Sequence, residues 1–247
     1  VQVKRSSDNA TQDFWADRLG NLLTQPITGT PLAAWLGSAT GNVVTWYNQI
    51  QPGQDVSAPA VNQPVIDATN KTITFNGTSQ SFSNVSASGG LLAACVGTGT
   101  KYSYAASWTP TTITGNHSVM EHNSATQTNN NRAALLQVTN TYGFNGQNND
   151  LNTLVTGVSS GTQYSSVMRV DNTLNPNNIR IRSNGTDSQG TTTSPATLSL
   201  NNFWFTIGRK GSTNTEFFQG SIKNVMVFNT ALSDADVAVL DAWQQTL

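Results

Sequence analysis

The segment from Phe218 to Ser233, FQGSIKNVMVFNTALS, contains a strand pattern followed by a helix start signal. Its Val225, Val227 and Phe228 give it the apolar content expected of a central β-strand. Ser233 stands where a helix N-cap is favoured, and the acids that follow it suit the positive end of a helix dipole. The segment therefore predicts a strand over 221–228 and a short C-terminal helix after it.

Outward from this segment, the chain is a series of short β-branched and aromatic runs separated by Gly, Asn and Pro. About ten such runs are typical of a β-sandwich or barrel. Asn76-Gly77 and Asn184-Gly185 are hairpin turn signals. A short helix is expected over 31–36, capped by Thr30 with Pro31 at its first position, and a long exposed loop over 183–197. The other predicted strands cover 43–47, 72–75, 91–96, 102–108, 133–139, 164–170, 179–183 and 203–207.

The length of 247 residues fits one large β domain, and a chain of this size buries enough surface to fold without disulfide bonds. We therefore expect a single domain over 1–247. The sequence begins at Val1 rather than at a methionine, so we expect the domain to be part of a longer protein. Cys95 is the single cysteine, which excludes an intrachain disulfide.

Charge is scarce in this chain. Charged residues make up 10% of it and the net charge is −1, whereas roughly 25% is typical of globular proteins. Asn and Thr together supply about a quarter of the residues. A basic patch for nucleic acid is missing from the sequence, and so is an apolar run long enough for membrane insertion.

Three segments resemble concanavalin A-like, laminin G-like jelly rolls, and in particular the catalytic jelly roll of the arabinofuranosidase B family. They are the C-terminal segment quoted above, VKRSSDNATQDF over 3–14, and VTWYNQ over 44–49. Asn48 stands where that family usually has Asp. The resemblance implies a two-sheet antiparallel jelly-roll sandwich with a short C-terminal helix. It brackets the whole chain.

That family hydrolyses arabinosyl linkages with retention, which requires two carboxyl groups about 5 Å apart. Met120-Glu121 resembles the pair on the family's nucleophile strand. In the segment that corresponds to the acid/base, TIGRKGS over 206–212, Lys210 stands in place of the aspartate. A lysine cannot protonate a leaving oxygen at neutral pH without a large fall in its pKa. We therefore expect no catalytic residues, with Glu121 as the nucleophile if the chain is a hydrolase, and as an exposed strand-end carboxylate otherwise.

A metal site is the next candidate. His117, Glu121 and His122 are close in sequence, but strand alternation places His122 on the opposite face, so the three would need a β-bulge to converge. Oxygen ligands for calcium are available at Asn148, Asn149 and Asp150, where a polar turn is the alternative interpretation. We expect no other cofactor.

Sugar recognition needs an aromatic platform beside amide or carboxylate groups. Tyr142, Phe144, Asn148 and Asp150 have this composition, Trp108 offers a second platform at a strand end, and Glu121 is a further candidate ligand. The alternative is that Tyr142 and Phe144 belong to the core, with Asn145-Gly146 as a hairpin turn. We expect the other tryptophans to pack in the core or between a sheet and a helix: Trp15, Trp35, Trp46, Trp204 and Trp243.

Three functions follow from the sequence. The first is a non-catalytic, lectin-like surface module that recognises carbohydrate or cell-wall polysaccharide. The second is a structural capsid or fibre domain whose partners are other capsid or surface subunits, because jelly rolls are common in virus particles. The third is a glycoside hydrolase of the arabinofuranosidase type. The first two merge into the prediction of a glycan-binding module located extracellularly or on a virion surface.

Overall fold

The computed structural model describes residues 1–17, 21–24, 29–50, 53–85, 100–124, 132–146, 150–174, 176, 178–192, 203–211 and 213–247. Antiparallel pairing connects seventeen of its strands. These divide into two sheets that are linked where β5 (Gly41–Trp46) pairs with β6 (Val56–Ser57). A separate hairpin pairs β3 (Trp15–Ala16) with β4 (Leu22–Leu23). The predicted strand over 91–96 lies outside the described residues.

The first sheet combines strands from the N-terminal and C-terminal segments of the chain. In spatial order its strands are β2 (Thr11–Asp13), β1 (Gln2–Arg5), β5 (Gly41–Trp46), β7 (Val65–Asp67), β8 (Thr72–Asn76), β19 (Gln219–Phe228), β10 (Lys101–Pro110), β15 (Tyr164–Asp171), β16 (Ile179–Ser183) and β17 (Thr186–Gly190).

The second sheet is built from the middle of the chain and from one late strand. In spatial order its strands are β6 (Val56–Ser57), β9 (Phe82–Val85), β18 (Phe203–Ile207), β11 (Asn116–Ser124), β12 (Arg132–Val138), β13 (Thr141–Asn145) and β14 (Leu151–Thr156).

The core lies between the two sheets. Trp108 of β10 packs against Tyr142 of β13 with ring centroids 5.1 Å apart, and Phe75 of β8 meets Phe82 of β9 at 5.9 Å. These contacts join alternate, inward-facing side chains of facing strands, which is the packing of a β-sandwich. The predicted two-sheet jelly roll is confirmed.

Two helices are described. Helix α1 (Leu32–Leu36) starts one residue later than predicted, with Pro31 at the cap position instead of Thr30. Helix α2 (Asp234–Gln245) begins as predicted, because the backbone N–H of Asp236 donates to Ser233 Oγ at 3.1 Å. Its Val237 packs against Ala105 and Val167, on the face of the first sheet that points away from the core.

The N-terminal segment that carries the family resemblance is held by an arginine clamp. Arg5 Nη2 lies 2.6 Å from Asp8 Oδ2, its Nη1 donates to the carbonyl oxygen of Trp35 at 2.6 Å, and its guanidinium lies 4.5 Å from the Trp35 ring. The hydrogen bond from Arg5 lowers the pKa of Asp8 to about 2. These residues fix the start of the chain to helix α1, so the segment that carries the resemblance has a structural role here.

Two turn predictions had different outcomes. Asn184 and Gly185 both have positive φ and join β16 to β17 as a two-residue hairpin, which is the geometry of a primed turn. That hairpin corrects the loop prediction over 183–197, because 186–190 is a strand. Asn76-Gly77 does not make a hairpin: Asn76 Oδ1 accepts N–H groups from Thr78, Ser79 and Gln80, and the chain crosses from β8 in the first sheet to β9 in the second. In the described part of the chain, the helices are too short or too polar to cross a membrane.

Candidate functional site

Strand β11 brings Glu121 to the outer face of the second sheet, meaning the face turned away from the core. The register of β11 against β12 shifts between Ser118 and Met120, so Val119 is an inserted residue. Met120 and His122 point into the core, and His122 Nδ1 is hydrogen-bonded to the hydroxyl of buried Tyr104. Glu121 points the opposite way, towards Arg132. The bulge therefore separates Glu121 from Val119, which strict alternation had placed on the same face.

The Glu121 carboxylate is fully buried and receives five hydrogen bonds. Arg132 donates to Oε2 from Nη2 at 2.6 Å and from Nε at 2.9 Å, and Ser118 Oγ donates to the same oxygen at 3.1 Å. Asn123 Nδ2 and the backbone N–H of Gly211 donate to Oε1 at 3.0 and 2.6 Å. The alternative prediction of an exposed strand-end carboxylate is therefore wrong.

Arg132 links Glu121 to a second carboxylate nearer the surface. The Nη2 atom of Arg132 also lies 2.5 Å from Glu216 Oε2, and Lys210 Nζ lies 3.5 Å from Glu216 Oε1. Two carboxylate oxygens thus share one nitrogen, so they lie no more than about 5 Å apart. The carboxyl groups of retaining glycosidases are about 5 Å apart. The two carboxylates raise the pKa of Arg132, although its burial acts in the opposite direction.

The loop that carries Glu216 has an uncommon backbone. Asn214 and Glu216 have φ values of 50° and 52°, in the left-handed region. For a Glu this conformation is costly, and such residues cluster at functional sites. The loop is stabilised by pairing between Lys210 N and Thr215 O at 2.8 Å. It places Lys210 and Glu216, whose side chains are 15% and 16% exposed, at the mouth of the polar cluster.

An aromatic side chain lies beside this cluster. In β18, Phe205 and Ile207 are buried in the core, so alternation turns Trp204 and Thr206 to the outer face. Trp204 is half-buried and is paired in register with Asn123, the residue that donates to Glu121. We call the set formed by Trp204, Asn123, Glu121, Arg132, Asn145, Lys210 and Glu216 the outer-face site.

The predicted aromatic platforms lie elsewhere. Trp108 is 1% exposed, and Tyr142 and Phe144 are fully buried in the core. Burial raises the pKa of Tyr142, whose hydroxyl accepts from Ser166 Oγ at 3.0 Å. A sugar can stack only on an exposed ring face, so the core interpretation of these three residues replaces the platform prediction. Of the tryptophans assigned to packing, Trp15 and Trp243 are 39% and 43% exposed.

The metal candidates do not come together. Glu121 and His122 point to opposite faces, and burial lowers the pKa of His122 to about 3. Asp150 is exposed and its Oδ1 accepts from Gly146 N at 3.0 Å, while Asn148 and Asn149 lie outside the described residues. Among the residues that the structure describes, three or more His, Cys, Asp or Glu side chains are nowhere grouped for a metal ion. The calcium site remains a sequence prediction.

Sequence reasoning missed Arg132, Glu216 and Trp204. Arg132 could have been recognised as a site candidate, because it is a charged residue at the start of an otherwise apolar run over 132–136. Trp204 stands between two apolar residues of a predicted strand. Its side chain could point to either face of the sheet until the register is known.

A groove lies away from this site, between helix α1 and strands β7 and β8. Its volume is about 630 Å³ and it is open to solvent. Its floor is aliphatic, with Ile66 7% exposed, and its aromatic residue, Phe75, is 1% exposed. Among the described residues that line the groove, none offers an accessible ring face, so its volume does not make it a sugar site.

Comparisons with known proteins agree on the architecture. A family model described as the concanavalin A-like lectin/glucanases superfamily matches residues 80–238. Among curated proteins, no sequence matches this chain. Several solved structures share its fold at low sequence identity.

Three of these structures are carbohydrate-related. A family 54 α-L-arabinofuranosidase soaked with 4-nitrophenyl α-L-arabinofuranoside is 13% identical with a TM-score of 0.64, over 98% of this chain and 58% of that one. Domain 4 of an arabinanase from Geobacillus stearothermophilus, in complex with arabinotriose, is 16% identical with a TM-score of 0.50, over 75% and 80%. A carbohydrate-binding module of a Ruminococcus gnavus sialidase, bound to α2,3-sialyllactose, is 14% identical with a TM-score of 0.51, over 69% and 95%.

Other matches are to much longer proteins. The matched region makes up 27% of the NanB sialidase from Streptococcus pneumoniae. At these levels of identity the similarity shows the fold, and the activities of the larger enzymes are not transferred with it.

Proposed function

This chain belongs to the concanavalin A-like lectin/glucanase superfamily, and we propose that it is a glycan-recognition domain that binds sugars at the outer-face site. The observation that carries the proposal is the position of Trp204, a partly exposed indole one strand away from Glu121 and Asn123 and two strands away from Arg132. Sugar sites combine an apolar ring face with a few fixed polar groups. In the outer-face site Trp204 supplies the ring face, and the partly exposed Lys210 and Glu216, held in place by the buried cluster, supply the polar groups.

The polar groups of the site are held in fixed positions. Asn145 Oδ1 accepts from Arg132 Nη1 at 2.7 Å, and Arg132 is in turn held by Glu121 and Glu216. Side chains held in this way need little further ordering when a ligand binds, which favours affinity. The partly exposed Lys210 and Glu216 offer a donor and an acceptor to sugar hydroxyls at the rim.

We propose recognition rather than hydrolysis. A glycosidase nucleophile must present an oxygen to the anomeric carbon, whereas both oxygens of Glu121 are occupied by protein donors and shielded from solvent. Arg132 also fills the space between Glu121 and Glu216 that an anomeric carbon would need. The attachment of this domain to a virus particle or secreted protein stays a prediction.

Calorimetric titration of the protein with arabinotriose and α2,3-sialyllactose, followed by a broad glycan array, tests the proposal. We expect at least one glycan to bind, and Trp204→Ala to weaken that binding at least tenfold, because truncating a central aromatic residue removes much of the contact energy. Trp243→Ala is the matched control, since Trp243 is a partly exposed tryptophan on helix α2. Absence of binding across the array, or equal effects of the two variants, would contradict the proposal.

Hydrolysis is measured separately with arabinan and 4-nitrophenyl α-L-arabinofuranoside. We expect no release of arabinose or nitrophenol above the rate in buffer. Release that disappears in Glu121→Gln would establish the glycosidase instead, because that variant removes the charged nucleophile while keeping its shape.

A further inference from the structure

A second polar pocket lies on the outer face of the first sheet, beside the start of helix α2. Its volume is about 270 Å³. In β16, Ile179 and Ile181 point into the core, so Arg180 and Arg182 point outwards. The charged residues that line it are Arg169, Arg180, Arg182, Asp187 and Asp234, and the neutral Gln189 lines it too.

The strand register concentrates positive charge in this pocket. Arg169 of β15 and Arg180 of β16 are directly paired, and Arg182 is the next outward-facing residue of β16. Like charges directly opposite each other on an antiparallel pair are destabilising. The arrangement therefore requires negative charge nearby to offset it.

The protein's own carboxylates supply that charge, two of them from exposed positions and one, Asp241, from a buried position with its Oδ2 3.3 Å from Arg182 Nε. Asp234 Oδ1 lies 2.5 Å from Arg169 Nη1 and 3.5 Å from Arg180 Nη1, and its side chain is 76% exposed. Asp187 pairs with Arg182 at 2.5 Å and is 67% exposed. Exposed pairs of this kind contribute little to stability, so a competing anion can displace them at small cost.

The guanidinium of Arg180 also makes fewer hydrogen bonds than it could. The Nε atom of Arg180 is buried, and within the described part of the chain it has no hydrogen-bond acceptor. The Arg180 side chain is 37% exposed, so its terminal nitrogens can be reached from solvent. A planar guanidinium with free donors matches the two oxygens of a carboxylate or sulfate in a bidentate pair.

We propose that this arginine pocket binds the anionic group of an acidic sugar, either a carboxylate or a sulfate ester, by displacing the exposed side chain of Asp234. Gln189 lies at the same pocket and can bond to the hydroxyls of that sugar. The site is on the opposite sheet from the outer-face site, so it stands independently of the function proposed there. It gives the domain a second binding face with a preference for negative charge.

The test is a titration of the full chain that is monitored by NMR. The ligands are methyl β-D-glucuronide, methyl β-D-glucoside, the 6-sulfate of that glucoside, and inorganic sulfate. We expect the glucuronide or the sulfated glucoside to bind and the neutral glucoside to bind at least tenfold more weakly. Whichever anionic sugar binds more tightly identifies the group. Raising the ionic strength should weaken this binding, because the charges are partly exposed to solvent.

Three variants distinguish a binding site from a structural ion network. Arg180→Ala and Arg182→Ala should each weaken anionic sugar binding at least fivefold, and Asp234→Asn should strengthen it about threefold by removing the competing carboxylate. Lys101→Ala is the control, since Lys101 is an exposed cation paired with Asp171 on the same sheet. Equal binding of glucuronide and glucoside, binding of inorganic sulfate as tight as the sugar, or weaker binding in Asp234→Asn would each overturn the proposal. Trp204→Ala should leave this binding unchanged, which separates the two sites.

Discussion

At the scale of single residues, the ion pair between Glu121 and Arg132 decides how the outer-face site behaves. Their side chains are 0% and 3% exposed, so the charge on each is compensated by the other and not by water. Taking two charges out of water is expensive, and the loss of one partner leaves the other uncompensated. The site therefore depends on both residues being present.

Arg132→Met tests this dependence. We expect it to lower the free energy of unfolding by about 3–5 kcal/mol, because Glu121 would be left buried without its cation. Lys101→Ala breaks a solvent-exposed pair and should cost at most about 1 kcal/mol. Urea denaturation measures both. The double variant Arg132→Met with Glu121→Met should recover part of the lost free energy of unfolding. A double variant whose loss exceeds the sum of the losses in the two single variants would contradict the interpretation.

His122 provides a second residue-scale prediction, which concerns pH. Burial lowers its pKa in the folded protein to about 3, while the unfolded value is about 6.5. Between these values the unfolded chain binds more protons, so the free energy of unfolding rises with pH. The contribution is fully present above about pH 6.5 and is lost as the pH falls towards 3, with a slope of at most about 1.4 kcal/mol per pH unit.

Chemical denaturation of the parent protein and of His122→Phe between pH 5 and 7 measures this effect as a difference. Ordinary Asp and Glu side chains remain ionised there, and the N-terminal amine of Val1, whose pKa burial lowers to about 6, titrates in both proteins. His122→Phe should flatten the pH dependence in that window, since phenylalanine cannot titrate and can pack beside Phe205, whose ring centroid is 4.7 Å from that of His122. An unchanged slope in the variant would show that another group is responsible.

At the scale of elements, the sequence could predict where strands lie better than which way they face. The strands over 179–183 and 203–207 have the predicted bounds, because their β-branched and aromatic content is local information. The bulge at Val119 is set by pairing with β12 and changes the face on which later residues of β11 lie. The polar cluster around Glu121 depends on that register, so local pattern could not reveal it.

The pairing of β13 with β14 gives the element-scale prediction. A Cβ atom on Gly143 would lie 1.8 Å from the carbonyl oxygen of Leu151, which is backbone and cannot turn away. Gly143→Ala should therefore push β14 from the sheet and cost about 1–3 kcal/mol or more. At Gly211 an added Cβ would meet its nearest atom at 3.4 Å, an ordinary contact. Gly211→Ala should leave stability nearly unchanged, and equal losses for the two variants in thermal unfolding would refute the steric argument.

At the scale of the whole molecule, the fold class was predictable and the position of the site was not. Short β runs, few charges and a capped terminal helix are properties that each segment carries by itself. The exposure of Trp204 and the burial of Trp108 depend on which sheet face each strand presents, and both faces accept a tryptophan in the sequence pattern. The resemblance to arabinofuranosidases led to Glu121 and Lys210, and the structure adds the arginine and the second glutamate between them.

Both ends of the chain contribute to one core, so we predict that the domain unfolds as a unit. Fully buried Val3 of β1 and Ile222 of β19 belong to the same hydrophobic cluster as Tyr142 of the second sheet. Loss of any strand in this cluster exposes the others, which favours one cooperative transition in calorimetry with equal van't Hoff and calorimetric enthalpies. Val3→Ala should lower the midpoint of the whole transition by removing buried methyl groups, whereas Val239→Ala, at a position 71% exposed on helix α2, should not. Two resolved transitions, with Val3→Ala shifting one of them alone, would mean that the chain contains separate folding units.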